Sequence, residues 1–561
     1  MPDELISPVR PLSSGESCML RDVLVKSATK IEEVISVLEF AEREAHSGSH
    51  VAVMLSYEAA PAFDQAFVTH QPSDFPLAWA AVFESVAAGE DPESYSSPMW
   101  TPLVKRDEYD HSVSRIKELI AAGDTYQVNY TFQLTSSFNG GDAFSWYRDL
   151  CVAQGSEYSA YLDLGRYKVL CLSPELFFRR HGNHVVTKPM KGTAPRGRWL
   201  AEDREMAEWL RHSEKNRAEN VMIVDLLRND LGKVSVPGSV RVSSLFDLER
   251  FETVWQMTST VESVLCDGTS LVDLMRALFP CGSITGAPKI RTMQIIRELE
   301  RFPRGAYTGA IGLLKPGGDC VFNVAIRTLV IDTDSGVVTF GVGGGVTIDS
   351  TAEREYEECL VKSRFLHSTP VEFQLFESIL LENGEYFLLP EHLKRLKDSA
   401  EYFGFNYSKE EINKTLSQLA TEDGSFKVRL TLWKDGRIET QIIRIAATDV
   451  IESVRLAEES VDSSDRFLFH KTTRRRSGTD VIFWNERGEI TESSIANIVV
   501  PIDGELFTPP IECGLLPGVF RNHLLAEGEI KERVITLEEF KNAPEFFLIN
   551  SIRKWIRIIR G

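Results

Sequence analysis

The stretch Lys188-Pro-Met-Lys-Gly-Thr-Ala-Pro-Arg-Gly197 sets three cations within nine residues where a β-type run ends in Pro and Gly turns. Clustered cations lower a lysine's pKa by like-charge repulsion, and only the neutral amine is nucleophilic. Lys191 is therefore a candidate covalent catalyst, set against the plainer reading of a basic surface turn. Two acids follow on helical spacing. Glu219 lies in Arg217-Ala-Glu-Asn-Val-Met-Ile-Val-Asp-Leu-Leu-Arg-Asn229, whose apolar neighbours bury its helix. Glu358 and Lys362 share a helix face by i, i+4 spacing, ordinarily the mark of a solvated ion pair. Carboxylates from two helices can instead hold one magnesium, which takes one or two of them with waters and an anionic substrate.

These residues must be positioned by a chain of 561 residues, 43% hydrophobic and 26% charged, which excludes a small binding module and wholesale disorder. The formal charge of −20 repels phosphate backbones and anionic membranes, and the basic run Arg474 to Arg476 is too short to reverse that. No nucleic acid or membrane partner is expected. The eight cysteines never form CxxC, so a zinc ribbon or disulfide framework is not expected. The N-terminus lacks a signal-peptide pattern and no apolar run approaches a membrane span, which together predict a cytoplasmic protein.

Strand-like runs (51–55, 77–83, 167–172, 185–188, 329–342) mix with helical ones (107–123, 201–212, 214–228, 288–301). Hairpin-like clustering of the strands predicts an α+β fold with antiparallel sheets rather than a doubly wound sheet. Ser350 with Glu353 reads as a capping box opening a helix to about Leu366. His367-Ser-Thr-Pro370 reads as a linker, after which strands at 373–380 and 386–389 and a helix through His392, Leu393, Leu396 and Ala400 begin a second domain. The expected domains are 1–367 and 371–561, separable at about 368.

Gly123-Asp-Thr-Tyr-Gln-Val-Asn129, Leu172-Ser-Pro-Glu-Leu-Phe177, the Lys188 stretch, Arg217 to Asp230, Phe279-Pro-Cys-Gly-Ser-Ile-Thr-Gly-Ala-Pro-Lys289, Arg304-Gly-Ala-Tyr-Thr-Gly309, Val324-Ala-Ile-Arg-Thr328 and Gly343 to Lys362 occur in order. The set resembles the chorismate-utilising family, which includes anthranilate, isochorismate, salicylate and aminodeoxychorismate synthases. The resemblance covers about 120 to 366 and implies a large antiparallel-sheet sandwich with helices. It also implies that Glu219 and Glu358 hold Mg2+ on the ring carboxylate of chorismate. Arg327, Tyr307 and the Gly343, Gly344 and Gly345 backbone would hold the enolpyruvyl side, Thr285 and Lys362 would line the pocket, and Glu175 would be the general acid. Those roles suit a dianion, since glycines permit close backbone approach and Arg binds carboxylate bidentately. Lysine at 191, where similar anthranilate synthases carry alanine, implies covalent addition to the ring and amination at the 4-position. Gln256 stands where the family often has histidine. No Gly-x-Cys-x-Gly glutaminase motif occurs, so ammonia would come from solution or a separate glutamine amidotransferase subunit.

Beyond 370, Pro390 to Ala400, Phe469-His-Lys-Thr-Thr473, Gly488 to Asn497, Leu515-Leu-Pro-Gly-Val519 and Leu548-Ile-Asn-Ser-Ile-Arg553 resemble, as an ordered set, the fold-type IV pyridoxal-phosphate enzymes. These are two-lobed α+β proteins that include amino-acid aminotransferases and aminodeoxychorismate lyase. The resemblance implies that Lys471 carries pyridoxal 5'-phosphate covalently and Glu492 pairs with its ring nitrogen. Arg395, the Gly518 and Val519 amides and Ser551 would bind the phosphate. Phe520 stands where threonine is frequent, which removes one expected phosphate bond. Relatives of this kind are commonly dimers, so a homodimer through this domain is a further expectation.

The two resemblances together imply amination of chorismate to 4-amino-4-deoxychorismate and then elimination of pyruvate to give 4-aminobenzoate for folate synthesis. The alternative is an anthranilate synthase-like or isochorismate-forming domain fused to an amino-acid aminotransferase. A silent scaffold is the third reading, disfavoured by the intact set of candidate catalytic residues.

Overall fold

The computed structural model describes residues 5–6, 19–20, 24–83, 99–138, 140–367, 372–420, 424–445, 454–475 and 481–559. The linker at 368–370, Arg476 and most of the extreme N-terminus lie outside them. Two compact units emerge: 1–195 with 209–370, and 196–208 with 371–561. Residues 196–208, which sequence order puts in the first domain, are thus counted with the second.

The first unit is built on two antiparallel sheets of ten and seven strands. Ala52, Met54, Trp79 and Ala81 of the larger sheet interleave with Ala160, Leu162, Val169 and Cys171 of the smaller, so the sheets pack face to face. Helices Val34–His46, Glu214–Gly232 and Leu271–Leu278 cover the outer face of one sheet, and Arg106–Ala121, Ala143–Gln154, Lys289–Leu299 and Ala352–Ser363 that of the other. The α+β reading and most element positions hold. The 329–342 run divides into strands Thr328–Asp332 and Val337–Val346 around a turn.

The expected capping box at Ser350 does not form. Thr351 is the N-cap without a side-chain bond, and the Ser350 hydroxyl donates to Glu355 at 2.7 Å. Ser350 thereby fixes a carboxylate instead of a free helix amide.

In the second unit, strands Leu375–Glu382, Ser425–Leu432 and Ile438–Arg444 form a small antiparallel sheet with Glu385–Tyr386, against which helix Leu389–Phe403 packs. A larger mixed sheet holds Ile490–Ser493, Asn497–Ile502 and Glu545–Asn550. Residues 196–208 run along the first helix. Arg196 binds Asp203 through two guanidinium bonds of 2.6 and 2.9 Å and stacks on Tyr402. The Tyr402 hydroxyl donates to Gly197 carbonyl at 2.6 Å, and Trp199 packs on Phe469. No helix among the described residues is long and apolar enough to cross a membrane.

Candidate active sites

The first unit's cavity opens where the chain passes between its two sheets, and it encloses about 220 Å³. Ser173-Pro-Glu175 links a strand of the smaller sheet to one of the larger, and Ala325 to Arg327 makes the return crossing. The two links brace each other's strands: Leu172 N donates to Arg327 carbonyl at 3.1 Å and Val324 N to Glu175 carbonyl at 3.1 Å. These bonds fix the main chain from which both side chains project. Arg327 holds a left-handed backbone (φ 51°), a strained conformation for a non-glycine residue.

Lys191, Glu175, Glu219, Glu358, Lys362, Arg327, Tyr307 and Gly343 to Gly345 all line this one cavity. Thr285 does not. It is fully buried and its hydroxyl donates to the carbonyls of Cys281 and Gly282, while its neighbours Ser283 and Ile284 form the wall.

Burial, rather than neighbouring cations, is what lowers the Lys191 pKa; Lys362 adds to the effect, and Glu175, Glu219 and Glu358 oppose it. The cations adjacent in sequence are neutralised elsewhere, Lys188 by Glu249 and Arg196 by Asp203. Glu175 is 3% exposed, and burial raises its carboxyl to about 7. A group titrating there can donate a proton at neutral pH.

Arg327 lines the cavity with no acid partner among the described residues; burial alone lowers it to about 10. Among the described residues its Nη1, Glu175 Oε1 and Gln127 Oε1 are buried without hydrogen-bond partners. Unpaired buried polar atoms cost on the order of 1–3 kcal/mol each, and a bound polar anion would satisfy the guanidinium. At Gly345 a Cβ would fall 1.8 Å from Gln127 Nε2 and 3.4 Å from Lys191 Nζ, so any side chain there would displace the Gln127 amide.

Sequence reasoning missed several wall-builders. Arg304 and Glu300, each with a side chain 2% exposed, pair at 2.6 Å. Arg304 also donates to the carbonyls of Ile284 and Asn129, at 2.9 and 2.7 Å, fixing two wall segments. Glu58, in the Ser56-Tyr-Glu-Ala-Ala60 segment, accepts from Arg304 N and Gly305 N and so serves that turn. Glu355 is a fourth acid in the cavity, beside Glu175, Glu219 and Glu358.

Magnesium fits the acidic side. Burial raises Glu219, and the charges of Glu355 and Glu358 add to that shift, opposed by Lys191 and Lys215. Its ion pair with exposed Lys215 is long, at 3.9 Å. A cation would relieve this carboxylate. Among the described residues, no three His, Cys, Asp or Glu side chains form a protein-only metal cage.

In the second unit, Lys471 lies on a turn locked to strand Leu375–Glu382 by Phe376 N donating to its carbonyl at 3.0 Å. Burial, reinforced by Arg395, lowers its amine to about 7. Glu492 is buried, and its pKa is raised by that burial against the pull of Arg475, with which it pairs. Arg395 makes a bidentate bond to fully buried Glu377, at 2.8 and 2.6 Å, which also binds His392 at 2.7 Å. Neither Glu377 nor His392 carried a site signal in the sequence.

The third Arg395 nitrogen donates to Pro517 carbonyl at 3.2 Å, bringing the guanidinium beside Gly518, the N-cap of helix Val519–Ala526. A Cβ on Gly518 would fall 1.9 Å from Asn497 Oδ1. Asn497 pairs in register with Glu492 and with Ile549, two residues before buried Ser551. Phe520 turns into a cluster with Val499, Leu524 and Ile549. A buried near-neutral amine, a buried acid and a cation beside a helix N-terminus fit pyridoxal phosphate.

Lys427 and Arg429 share one face of strand Ser425–Leu432. The Arg429 guanidinium stacks on the same Phe376 ring that lies 5.4 Å from Lys471 Nζ. Neither cation has an ion pair in the described structure.

Comparison with known proteins matches residues 89–368 to the chorismate binding enzymes, and residues 374–449 and 459–560 to amino-transferase class IV. Aminodeoxychorismate synthase component 1 of Bacillus subtilis (strain 168) is 39% identical over 291 residues, 52% of this chain and 61% of that protein. Anthranilate synthase component 1 of Thermus thermophilus is 41% identical over 261 residues, 46% of this chain and 56% of the relative. The matched stretch thus spans under two thirds of either relative. In fold, the chain is similar to crystalline anthranilate synthase component I from Streptococcus pneumoniae TIGR4 (TM-score 0.53, 24% identity), covering 65% of this chain and 93% of that one.

Proposed function

The chain belongs to the chorismate binding enzymes through its first part and to the class IV amino-transferases through its second, and we propose that it makes 4-aminobenzoate from chorismate in two steps. The observation that carries this reading is Lys191, a half-buried amine of lowered pKa facing Glu175 in one cavity.

Arg327 and the Gly343 to Gly345 strand bind the substrate's carboxylate and enolpyruvyl groups. Glu219 and Glu358 would hold magnesium, which would supply positive charge against the ring carboxylate. Neutral Lys191 Nζ adds to the ring as the C4–O bond breaks and Glu175 delivers the proton that leaves with hydroxide as water. Ammonia then forms the C4–N bond as the Lys191 bond breaks, giving 4-amino-4-deoxychorismate and regenerating the amine. Two easier displacements replace one difficult substitution. Ammonia comes from solution or a separate glutaminase subunit.

In the second part, pyridoxal phosphate supplies an electron sink when bound. Lys471 holds it, Arg395, the Gly518 and Val519 amides and Ser551 hold its phosphate, and Glu492 holds its ring nitrogen. Lys427 and Arg429 attract the carboxylates of the incoming diacid. The substrate's amino group would take the place of Lys471 on the cofactor, and the freed Lys471 Nζ, lowered by burial to about 7, would take the proton from the amino-bearing carbon. Loss of enolpyruvate from the adjacent carbon then leaves 4-aminobenzoate and pyruvate.

Purified protein given chorismate, Mg2+, ammonia and pyridoxal phosphate should yield 4-aminobenzoate. Anthranilate or isochorismate as the sole product would replace this reading with the alternative of 2-amination or isomerisation.

A further inference from the structure

Strand Met190–Pro195 pairs with Val254–Val264 through Met190 with Thr258 and Thr193 with Gln256, so Lys191 and Gly192 together oppose Met257 alone. That is a β-bulge, which re-aims side chains and interrupts the ladder. Gly192 adopts φ 99°, and a Cβ there would press on Asn216 and Met257 at 3.1 and 3.2 Å. Two side-chain amides take up the carbonyls at the bulge. Asn220 Nδ2 donates to Lys191 carbonyl at 3.2 Å, and Gln256 Nε2 to Gly192 carbonyl at 2.9 Å. Hydroxyls orient both amides: Ser259 donates to Asn220 Oδ1 at 2.5 Å and Thr193 to Gln256 Oε1 at 3.0 Å.

We propose that Gln256 and Asn220 are positioning residues that hold the bulge so that the Lys191 amine points into the cavity. This rests on the reading of Lys191 as the nucleophile. An amide keeps its donor and acceptor at every working pH. A histidine at 256 could donate to Gly192 and accept from Thr193 only while neutral; once protonated it has no acceptor. Glu249, which Lys188 binds, pairs in register with Gln256, and the cavity that Gln256 helps to line also carries Glu175, Lys191, Lys215, Glu219, Arg327, Glu355, Glu358 and Lys362.

The test uses the full chain. Gln256→Leu should lower kcat for chorismate amination about 10- to 100-fold, the scale of a small misplacement at a reacting centre, with chorismate KM within about threefold. Labelling of substrate-free Lys191 by acetic anhydride across pH should show a shifted amine pKa in this variant. Gln256→His should match wild type at pH 8 but lose more activity than wild type below about pH 6.5, a steeper acid limb than the one Lys191 alone gives. Unaltered kcat and labelling in the leucine variant, or a histidine variant whose acid limb is the same as that of wild type, would overturn the proposal. An unchanged far-ultraviolet spectrum and Tm separate misplacement from misfolding. If wild type forms no adduct on Lys191 with chorismate alone while labelling still shifts in the variant, the nucleophile reading fails and the positioning role stands.

Discussion

Lys362 Nζ reaches Glu358 one turn earlier on its helix, at 2.8 Å, and the carbonyl of Gly343 on the adjacent strand, at 2.9 Å. The ammonium holds Glu358 below the ordinary carboxylate range, whereas burial raises Glu219. One candidate metal ligand thus loses its proton more readily than usual, and the other gains most from a cation. Glu219→Ala and Glu358→Ala should each slow chorismate consumption beyond the roughly 10- to 100-fold loss usual for an outer-shell partner. The second reaction should be unaffected. Turnover of wild type unchanged by chelation of magnesium would sink the metal role.

The pair Lys191 and Glu175 sets a pH window for amination. Lys191 acts when neutral and is lost as pH falls; Glu175 acts when protonated and is lost as pH rises past its pKa of about 7. The profile of kcat/KM for chorismate should therefore be a bell whose limbs belong to the coupled pair. Glu175→Gln should remove the alkaline limb along with most of the rate. A profile flat from pH 6 to 9 contradicts both assignments.

Lys191→Ala leaves the magnesium and carboxylate contacts in place. Chorismate should still bind within a few-fold of wild type while 4-amination slows strongly and anthranilate-type product gains. Mass spectrometry of wild type with chorismate and no ammonia should find an adduct on the peptide containing Lys191. Full 4-amination by the alanine variant would rule the covalent role out.

Arg475 is the cation that opposes the upward shift burial imposes on Glu492. Arg475→Ala should push Glu492 further upward and weaken pyridoxal-phosphate binding about tenfold, read by titration of the visible absorption band. Lys471→Ala should abolish the lysine-bound band altogether. An unaltered band in the latter variant would remove Lys471 from the cofactor's site.

A chain beginning at 368 lacks residues 196–208. In the full protein His470, beside Lys471, is neutral because burial lowers it to about 3. Its Nε2 meets Arg198 carbonyl at 3.2 Å and its Nδ1 meets the Ser399 hydroxyl at 2.9 Å. A carbonyl only accepts, so Nε2 carries the proton. Truncation removes that acceptor, the acceptor for Tyr402 and the buried Leu200 side chain, the last worth roughly 1.5–3 kcal/mol. Thermal unfolding of the truncated chain should begin well below that of the second unit in the full protein. Equal Tm values would show the segment to be dispensable.

Much of this was legible from local pattern. Arg106–Ala121, Glu214–Gly232 and Leu389–Phe403 announce themselves through apolar periodicity, the Lys188 stretch through its clustered cations, and the Gly343 stretch through the family resemblance alone. What was not legible depends on partners distant in sequence. Lys191 owes its lowered pKa to burial, not to Lys188 and Arg196, whose acids lie at 249 and 203. Ser350 has the local signature of a cap but bonds Glu355. Thr285 falls inside a site motif yet its hydroxyl serves a turn. Glu377 looks like an ordinary strand residue until Arg395 and His392 converge on it.

The placement of residues 196–208 within the second unit also orders events during synthesis. The ribosome releases this segment long before residues 371–561, and at roughly 5–20 residues per second the delay is on the order of tens of seconds. Throughout that interval Trp199 and Leu200 have emerged while Phe469 and Tyr402 do not yet exist. Trp199 and Leu200 are therefore uncovered apolar side chains, within an otherwise charged segment, on every nascent chain. Slow translation between 208 and 471, or a stall there, prolongs the exposure, so yield in a cell should depend on elongation rate and chaperone supply more than the finished fold alone suggests.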